Sequence, residues 1–265
     1  MIKLIACDMD GTLLNGKGEL DEEFYEVFKK LMDYDIKFAV ASGRQYYQLL
    51  KNFENVEGNI IYIAENGTMV RYLDREIYSC PLKPIDVKKI LKEGRKIQGI
   101  CIVLCGKKSA YISTNVEKMV AECSKYYEHL EIVEDLMDVE DEILKIAILD
   151  FERLEDTYRK LKQGVEDNLQ VTISGQIWID VYRGDVNKGV ALKLIQERFN
   201  IKTEETMAFG DYFNDVEMLD AAYYSYAMAN APDGVKNHAR FIAKSNLEKG
   251  VVEAIKEIAL KPMNV

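Results

Sequence analysis

Leu4-Ile5-Ala6-Cys7-Asp8-Met9-Asp10-Gly11-Thr12 is the stretch that decides how this chain folds. Four apolar residues read as a short buried strand, and the strand gives out into two carboxylates two residues apart. Buried charge is costly unless it is paired with a cation or put to chemical use. Gly11 lets the backbone turn sharply, and Thr12 is placed to fold its hydroxyl back onto that turn. The arrangement suits a carboxylate nucleophile beside a carboxylic acid at the tip of a parallel sheet. The plainer alternative is an edge strand that runs into an acidic loop.

Working outward, the next elements decide between these alternatives. Asp21 is positioned to cap a helix whose apolar residues Phe24, Val27, Phe28 and Leu31 recur at helical spacing. Lys37 to Ala41 reads as a second strand running into Ser42-Gly43-Arg44, Tyr46 to Phe53 as a helix, and Ile60 to Ala64 as a third buried strand. A βαβαβ order argues for a parallel sheet with helices on both faces, with ligands beyond the C-terminal strand ends. Asp8, Ser42 and Asn66 all fall at or just past such ends.

The texture changes near Pro81 and Pro84. A helix carrying Val87, Ile90, Leu91 and Ile97 is followed by strands at Ile100 to Leu104 and Ala110 to Ser113, with Gly106-Lys107-Lys108 as the turn between them. Val116 to Tyr127 reads as helix, Leu144 to Leu149 as strand and Leu154 to Lys162 as helix. Val171-Thr172-Ile173 and Trp178 to Val181 flank Ser174-Gly175-Gln176, another hairpin signal. This block reads as a second, α+β domain inserted into the first. The expected division is residues 1–82 and 184–265 for the parallel-sheet core and 83–183 for the insert. Beyond it, Lys188 to Phe199 is a helix, Met207-Ala208-Phe209 a short strand, and Val216 to Ala222, Ser225 to Met228 and Gly250 to Leu260 supply helix, strand and helix. Pro262 to Val265 reads as a frayed end.

Composition narrows the function classes. The 265 residues are 48% apolar and 30% charged, as in an ordinary globular protein, with a net charge of −10. No basic stripe stands out to neutralise phosphates, which disfavours a nucleic-acid partner. Cys7, Cys80, Cys101, Cys105 and Cys123 form no Cys-x-x-Cys pair, so neither a disulfide framework nor a zinc site is expected. Cys101 and Cys105 share a strand face with Val103 and read as core. No apolar run has the length to span a bilayer, and the first residues are too short for a signal peptide. A reducing cytoplasm is the expected location. The expected partner is a small phosphorylated metabolite, with no membrane or nucleic acid, and the chain is expected to be a monomer or a weak homodimer.

Ser42 and Lys188 gain meaning from sharing a sheet edge with Asp8. A lysine charge, a hydroxyl and backbone N–H groups are what a phosphoryl group's oxygens require. Gly210-Asp211-Tyr212-Phe213-Asn214-Asp215 is a second strand end running into carboxylates. Two such ends can share one hard divalent cation through oxygens of Asp8, Asp10 and Asp211, as Mg²⁺ prefers. Asp215 is also placed to cap the helix that follows.

These motifs together resemble the haloacid dehalogenase-like phosphatase superfamily, in particular the Cof-type hydrolases of subclass IIB. They occur in the family's order: Asp8-Met9-Asp10-Gly11-Thr12, Ser42, Lys188, then Gly210-Asp211 with Asn214-Asp215. Asn66-Gly67, Asn187-Lys188-Gly189, Ala229-Asn230-Ala231 and Ser245 to Val251 match further family patterns. The resemblance implies a Rossmann-like core with an inserted α+β cap that closes over the site and selects the leaving group, hinged near Pro81 to Pro84 and Tyr182 to Asp185. It implies Asp8 as nucleophile, forming an aspartyl-phosphate, and Asp10 as general acid and then base. Asp8, the main-chain carbonyl of Asp10, and Asp211 would ligate Mg²⁺. Ser42, Lys188, Asn214 and the backbone amides of Met9 and Gly43 would hold the phosphoryl group. Asp215 would orient Lys188 or a metal-bound water. Arg44 and Asn66 are candidate substrate contacts, with a plain salt bridge as the alternative for Arg44.

The function so implied is a Mg²⁺-dependent phosphatase of sugar phosphates or of a cofactor phosphate such as pyridoxal phosphate. The alternatives are a phosphomutase on the same scaffold and a non-catalytic phosphate-binding regulator. No P-loop and no cysteine-phosphatase loop is present, and His129 and His238 lie far from the acidic clusters in sequence. Dehalogenation would leave Asp10 and the metal ligands without a purpose.

Overall fold

The apolar runs that end in acidic or small polar residues become the strands of one sheet. The computed structural model describes residues 1–261, so the segment Pro262 to Val265 lies outside the described residues. By contacts the described residues form two units, 1–78 with 187–261, and 79–186.

The first unit begins with β1 (Leu4–Asp8), α1 (Glu22–Asp33), β2 (Lys37–Ala41), α2 (Tyr46–Asn52), β3 (Ile60–Ala64), β4 (Met69–Tyr72) and β5 (Arg75–Ser79). The second unit carries α3 (Pro84–Gly94), β6 (Cys101–Gly106), β7 (Ala110–Ile112), α4 (Glu117–Cys123), β8 (Leu130–Ile132), β9 (Ile143–Leu149), α5 (Leu154–Gly164), β10 (Leu169–Ile173) and β11 (Trp178–Arg183). The first unit resumes with α6 (Lys188–Phe199), β12 (Thr206–Gly210), α7 (Val216–Asp220), β13 (Tyr224–Met228), α8 (Asp233–Lys236), β14 (Phe241–Ala243) and α9 (Gly250–Ile258).

The eight-stranded sheet has the order β14-β13-β12-β1-β2-β3-β4-β5. β1 lies at its middle, parallel to both β2 and β12, with Ala6 opposite Ala39 and Ala208. Those alanines share a buried cluster with Ala191, Leu192 and Ile195 of α6 and Met218 and Leu219 of α7. Small residues on this face let the backbone of the sheet and its helices approach closely. On the opposite face, Phe24 and Phe28 of α1 meet Phe38 of β2 edge-on, with ring centroids 5.4 and 5.8 Å apart. Helices thus cover both faces of a mostly parallel sheet.

Asp21 caps α1 by accepting from the Glu23 N–H at 2.9 Å. The sheet also extends past β3 through β4 and β5, with β4 antiparallel to β3, an extension the sequence reading did not foresee. Residues 71–79 alternate only weakly between apolar and polar, and most are half-exposed, so the period-2 signal is faint.

The second unit builds a six-stranded sheet in the order β10-β11-β9-β6-β7-β8. All the pairings are antiparallel except β7 with β8. The three-residue β8 also escaped the sequence reading, because Glu131 and Ile132 are both exposed and leave no buried pattern. Helix α3 ends at Gly94, short of Ile97, and α4 covers only part of the expected 116–127 span. Cys101, Val103 and Cys105 share one core cluster, and all five cysteines are buried. Tyr127 is buried in that cluster, whereas Tyr126 is exposed. No helix among the described residues is long and apolar enough to cross a membrane.

Candidate active site

The central strand β1 delivers Asp8 to its C-terminal tip, where the carboxylate is buried. The chain then makes a single irregular turn over Met9–Leu13, closed by the Leu14 N–H donating to the Met9 carbonyl at 2.9 Å. Gly11 takes φ +80° in that turn, and a Cβ there would lie 2.2 Å from Asp211 Oδ2. Any side chain there would therefore displace Asp211. The Thr12 hydroxyl reaches across the sheet and donates to Asp211 Oδ1 at 3.1 Å, rather than folding onto its own turn. Asn230 Nδ2 donates to the Gly11 carbonyl at 2.9 Å and approaches Asp211 Oδ2 at 3.4 Å.

Lys188 opens α6, whose first turn is capped by Asn187 Oδ1 accepting from the Val190 N–H at 2.9 Å. Gly67 has φ +97°, and a Cβ there would meet the Asn187 carbonyl oxygen at 2.4 Å. The backbone after β3 thus lies directly against the residue before Lys188. Lys188 Nζ donates to Asp8 Oδ1 and to Asp215 Oδ1, both at 2.6 Å, with the lysine side chain 1% exposed. Asp215 Oδ2 accepts from the backbone N–H groups of Asp211 and Tyr212 at 3.0 and 3.1 Å. One carboxylate therefore braces the turn after β12 and aims the lysine.

Carboxylate oxygens of Asp8, Asp211 and Asp215 all lie within 4.8 Å of one another. Burial and the neighbouring Asp215 raise the Asp8 carboxyl well above the usual range, and they push Asp211 up to about 6. Burial works against the Lys188 ammonium, but Asp215 and Asp8 outweigh it and hold it charged. Burial, and then Asp8, raise the Cys7 thiol, which keeps it protonated and unreactive. Three carboxylates face one ammonium, and that surplus of negative charge on hard oxygen donors fits a divalent cation such as Mg²⁺.

A second set of polar groups comes from the neighbouring strand ends. Ser42, buried at the tip of β2, accepts from the Arg44 N–H at 3.2 Å. Asn214 Nδ2 donates to Asn66 Oδ1 at 3.3 Å, and that oxygen would lie 3.0 Å from a Cβ at Gly43. Ser42-Gly43, Asn66 and Asn214 are thus grouped, while Met9 is fully buried.

Asp10 stands apart from the buried carboxylates. Its side chain is 60% exposed, and Arg44 forks onto it with Nε to Oδ2 at 2.9 Å and Nη2 to Oδ1 at 2.6 Å. Arg44 Nη1 also donates to Asn52 Oδ1 at 3.1 Å. Arg44 is therefore partnered across the turn with the candidate acid. Thr12 and Asn230 were not singled out as site residues from the sequence. The Ala229-Asn230-Ala231 run at the end of β13, another strand end on the same sheet edge, carried the available signal.

The family model described as haloacid dehalogenase-like hydrolase matches residues 5–255. The chain is 33% identical to the 5-amino-6-(5-phospho-D-ribitylamino)uracil phosphatase YbjI of Escherichia coli strain K12, covering 97% of this chain and 96% of that protein. It is 28% identical to the phosphatase of the same description, YcsE, from Bacillus subtilis strain 168, over 98% of this chain and 96% of the relative. Among solved structures, SMU.1108c from Streptococcus mutans UA159 aligns at a TM-score of 0.88 with 34% identity, covering 98% of this chain and all of that one.

Proposed function

Because the chain belongs to the haloacid dehalogenase-like hydrolases, as a phosphatase of the Cof type, we propose that it is a Mg²⁺-dependent phosphatase working through a phosphorylated Asp8. The observation that carries the reading is Lys188, buried and shared between Asp8 and Asp215 at 2.6 Å, at the tip of the central strand. A phosphoryl group bound there meets a fixed positive charge that is already oriented, which is where most of the rate enhancement of phosphoryl transfer originates.

In this reading Asp8 attacks phosphorus with the carboxylate oxygen that Lys188 leaves free, forming the aspartyl-phosphate while the P–O bond to the leaving group breaks. Ser42, Asn214 and the backbone amides of Met9 and Gly43 hold the phosphoryl oxygens beside Lys188. Asp10 gives its proton to the leaving oxygen and then takes one from the water that hydrolyses the intermediate. For the first step Arg44 has to release at least one oxygen of Asp10, so its fork belongs to the resting enzyme. Asp8, Asp211 and the main-chain carbonyl of Asp10 are the proposed Mg²⁺ ligands. The ion supplies the charge that keeps Asp8 ionised and offsets negative charge on the transferring group. Thr12 and Asn230 hold Asp211 in place for that task.

The proposed substrates are sugar and polyol phosphates. The phosphoribityl compound named for YbjI and YcsE is the first to try, and pyridoxal phosphate is the cofactor-phosphate comparison. The test is phosphate release from such a panel with Mg²⁺ and with EDTA, for the wild type and Asp8→Asn. Release that needs Mg²⁺ and disappears in the variant is expected. Release that survives Asp8→Asn would overturn the covalent route. Turnover that appears only with an added sugar bisphosphate, and frees no phosphate, would make the enzyme a mutase.

A further inference from the structure

A cavity of about 400 Å³ opens wholly within the second unit, a volume in the range of pockets that take small molecules. Its walls come from three segments: the start of α3, the passage from α5 into β10, and the end of β11 with the two residues after it. The Gly184 N–H donates to the Asn168 carbonyl at 2.9 Å, and a Cβ at Gly184 would lie 3.1 Å from that oxygen. The last two segments therefore lie against each other. Asp86, in the first turn of α3, is the informative residue. It lines the cavity and is only 7% exposed, yet its carboxyl makes no hydrogen bond or ion pair among the described residues. Lys89, one turn on, feels its charge, but the Lys89 ammonium is committed to Glu166 at 2.6 Å.

An acid in the first turn of a helix is favourable on its own account, through the helix dipole or by accepting from a free backbone N–H. The dipole acts equally on an acid in water, and Asp86 accepts from no N–H, so neither effect accounts for burial without a partner. Such burial is costly, and a ligand that supplies a donor recovers the cost. Around Asp86 stand more cavity groups whose side chains make no hydrogen bond or ion pair among the described residues: the Lys83 ammonium, the Asp167 carboxylate and the amides of Asn168 and Gln170. Arg183 and Asp185, by contrast, fork onto each other at 2.9 and 2.5 Å. That fork, aided by Lys83, holds the Asp185 carboxyl below its usual range. Two carboxylates, one ammonium and two amides are left over for a ligand.

We propose that this cavity binds a basic amino acid, such as free arginine or lysine. The ligand's carboxylate pairs with Lys83, its two cationic groups pair with Asp86 and Asp167, and the amides of Asn168 and Gln170 meet its remaining polar atoms. Charge decides the class. A simple anion answers neither Asp86 nor Asp167, and a simple diamine leaves Lys83 opposed. A bare metal ion is far smaller than the cavity. Among the described residues no three acidic side chains converge here within 4.8 Å, as those of Asp8, Asp211 and Asp215 do. The site is independent of the chemistry at Asp8.

The experiment is isothermal titration calorimetry of the full-length protein in the presence of Mg²⁺. L-arginine and L-lysine are the probes, with 1,4-diaminobutane and acetate as controls that carry one sign of charge each. Saturable binding of at least one of the amino acids is expected, about tenfold or more tighter than either control. Asp86→Asn, which is nearly isosteric, is expected to weaken it about 10- to 100-fold. Lys83→Met, at an exposed position, should weaken it about tenfold and guards against misfolding of the first variant. Asp86→Asn should melt no lower than the wild type, because the carboxyl gives up no partner. Absence of saturable binding by both amino acids would overturn the proposal. So would equal affinity for the diamine, or binding that both variants leave unchanged. None of these results bears on the phosphatase reading.

Discussion

Among the described residues, two buried lysine–carboxylate arrangements stand in unlike surroundings. At the tip of β1, Lys188 serves two carboxylates with a third close by, so the group is negative overall. In the second unit, Lys145 Nζ meets Asp180 Oδ2 at 3.2 Å, with both side chains buried. The first arrangement fits a cation on its hard oxygens and, in the proposed reading, phosphoryl chemistry.

The sharpest way to break this contrast is by stability. Lys145→Met alone leaves Asp180 buried without its cation and is expected to destabilise the protein by about 3–5 kcal/mol. Lys145→Met/Asp180→Leu should return to wild-type stability or exceed it by about 1–4 kcal/mol. Denaturant unfolding of the three proteins measures both shifts. A double variant as unstable as the single one would mean that the pair is needed for folding, and it would erase the distinction.

Next in size is Lys188→Met, which removes the charge aimed at the phosphoryl group. A fall in kcat of about 10²- to 10³-fold is expected on every substrate, p-nitrophenyl phosphate included. Steady-state kinetics on p-nitrophenyl phosphate and on a sugar phosphate checks the prediction, and a Lys188→Met loss confined to one of them would overturn it.

The surplus of carboxylates also has a pH signature. Burial and Asp215 push Asp211 up to about 6. A raised carboxyl favours folding while it is protonated, so that contribution in EDTA is lost as pH rises from about 4 through 6. Bound Mg²⁺ competes with that proton, so its stabilising effect should grow across the same window. At pH 7.5 and Mg²⁺ at 100 times its Kd, about 2.7 kcal/mol of stabilisation is expected, fading towards pH 5. Melting curves with Mg²⁺ and with EDTA from pH 5 to 8 test this. A Mg²⁺ effect that is flat with pH would remove Asp211 from the ligand set.

The two arrangements were not equally legible in the sequence. Lys188 sits in Asn187-Lys188-Gly189 at a helix start, and α6 runs over the span that its periodicity marks. The strand ends at Asp8, Ser42 and Asp211 were equally open, because an apolar run that stops at a carboxylate or serine is a local signal. Lys145 lies inside Ile143–Leu149, where a single charged residue does not disturb an apolar run, and Asp180 is hidden likewise in β11. Their meeting depends on the register of two strands 35 positions apart. The fork of Arg44 on Asp10 spans 34 positions, and the Thr12 hydroxyl's reach to Asp211 spans 199. Pairings of that kind are set by sheet order, which a local reading of residue types does not contain.

The smallest expected effect refines the negative arrangement from within. The Thr12 hydroxyl is buried and donates to Asp211 at 3.1 Å, so it fixes the direction of one proposed ligand oxygen without touching substrate. Thr12→Val keeps the shape of the side chain and removes the donor. Mg²⁺ affinity, read by titrating the ion back into EDTA-treated enzyme, is expected to weaken about tenfold. At saturating Mg²⁺, kcat should recover to near the wild-type value, because Asp8, Lys188 and Asp10 are untouched. A loss of kcat that Mg²⁺ cannot restore would give Thr12 a role in the chemical step. Unchanged Mg²⁺ affinity would mean that Asp211 is held well enough by Gly11, Asn230 and the turn after β12.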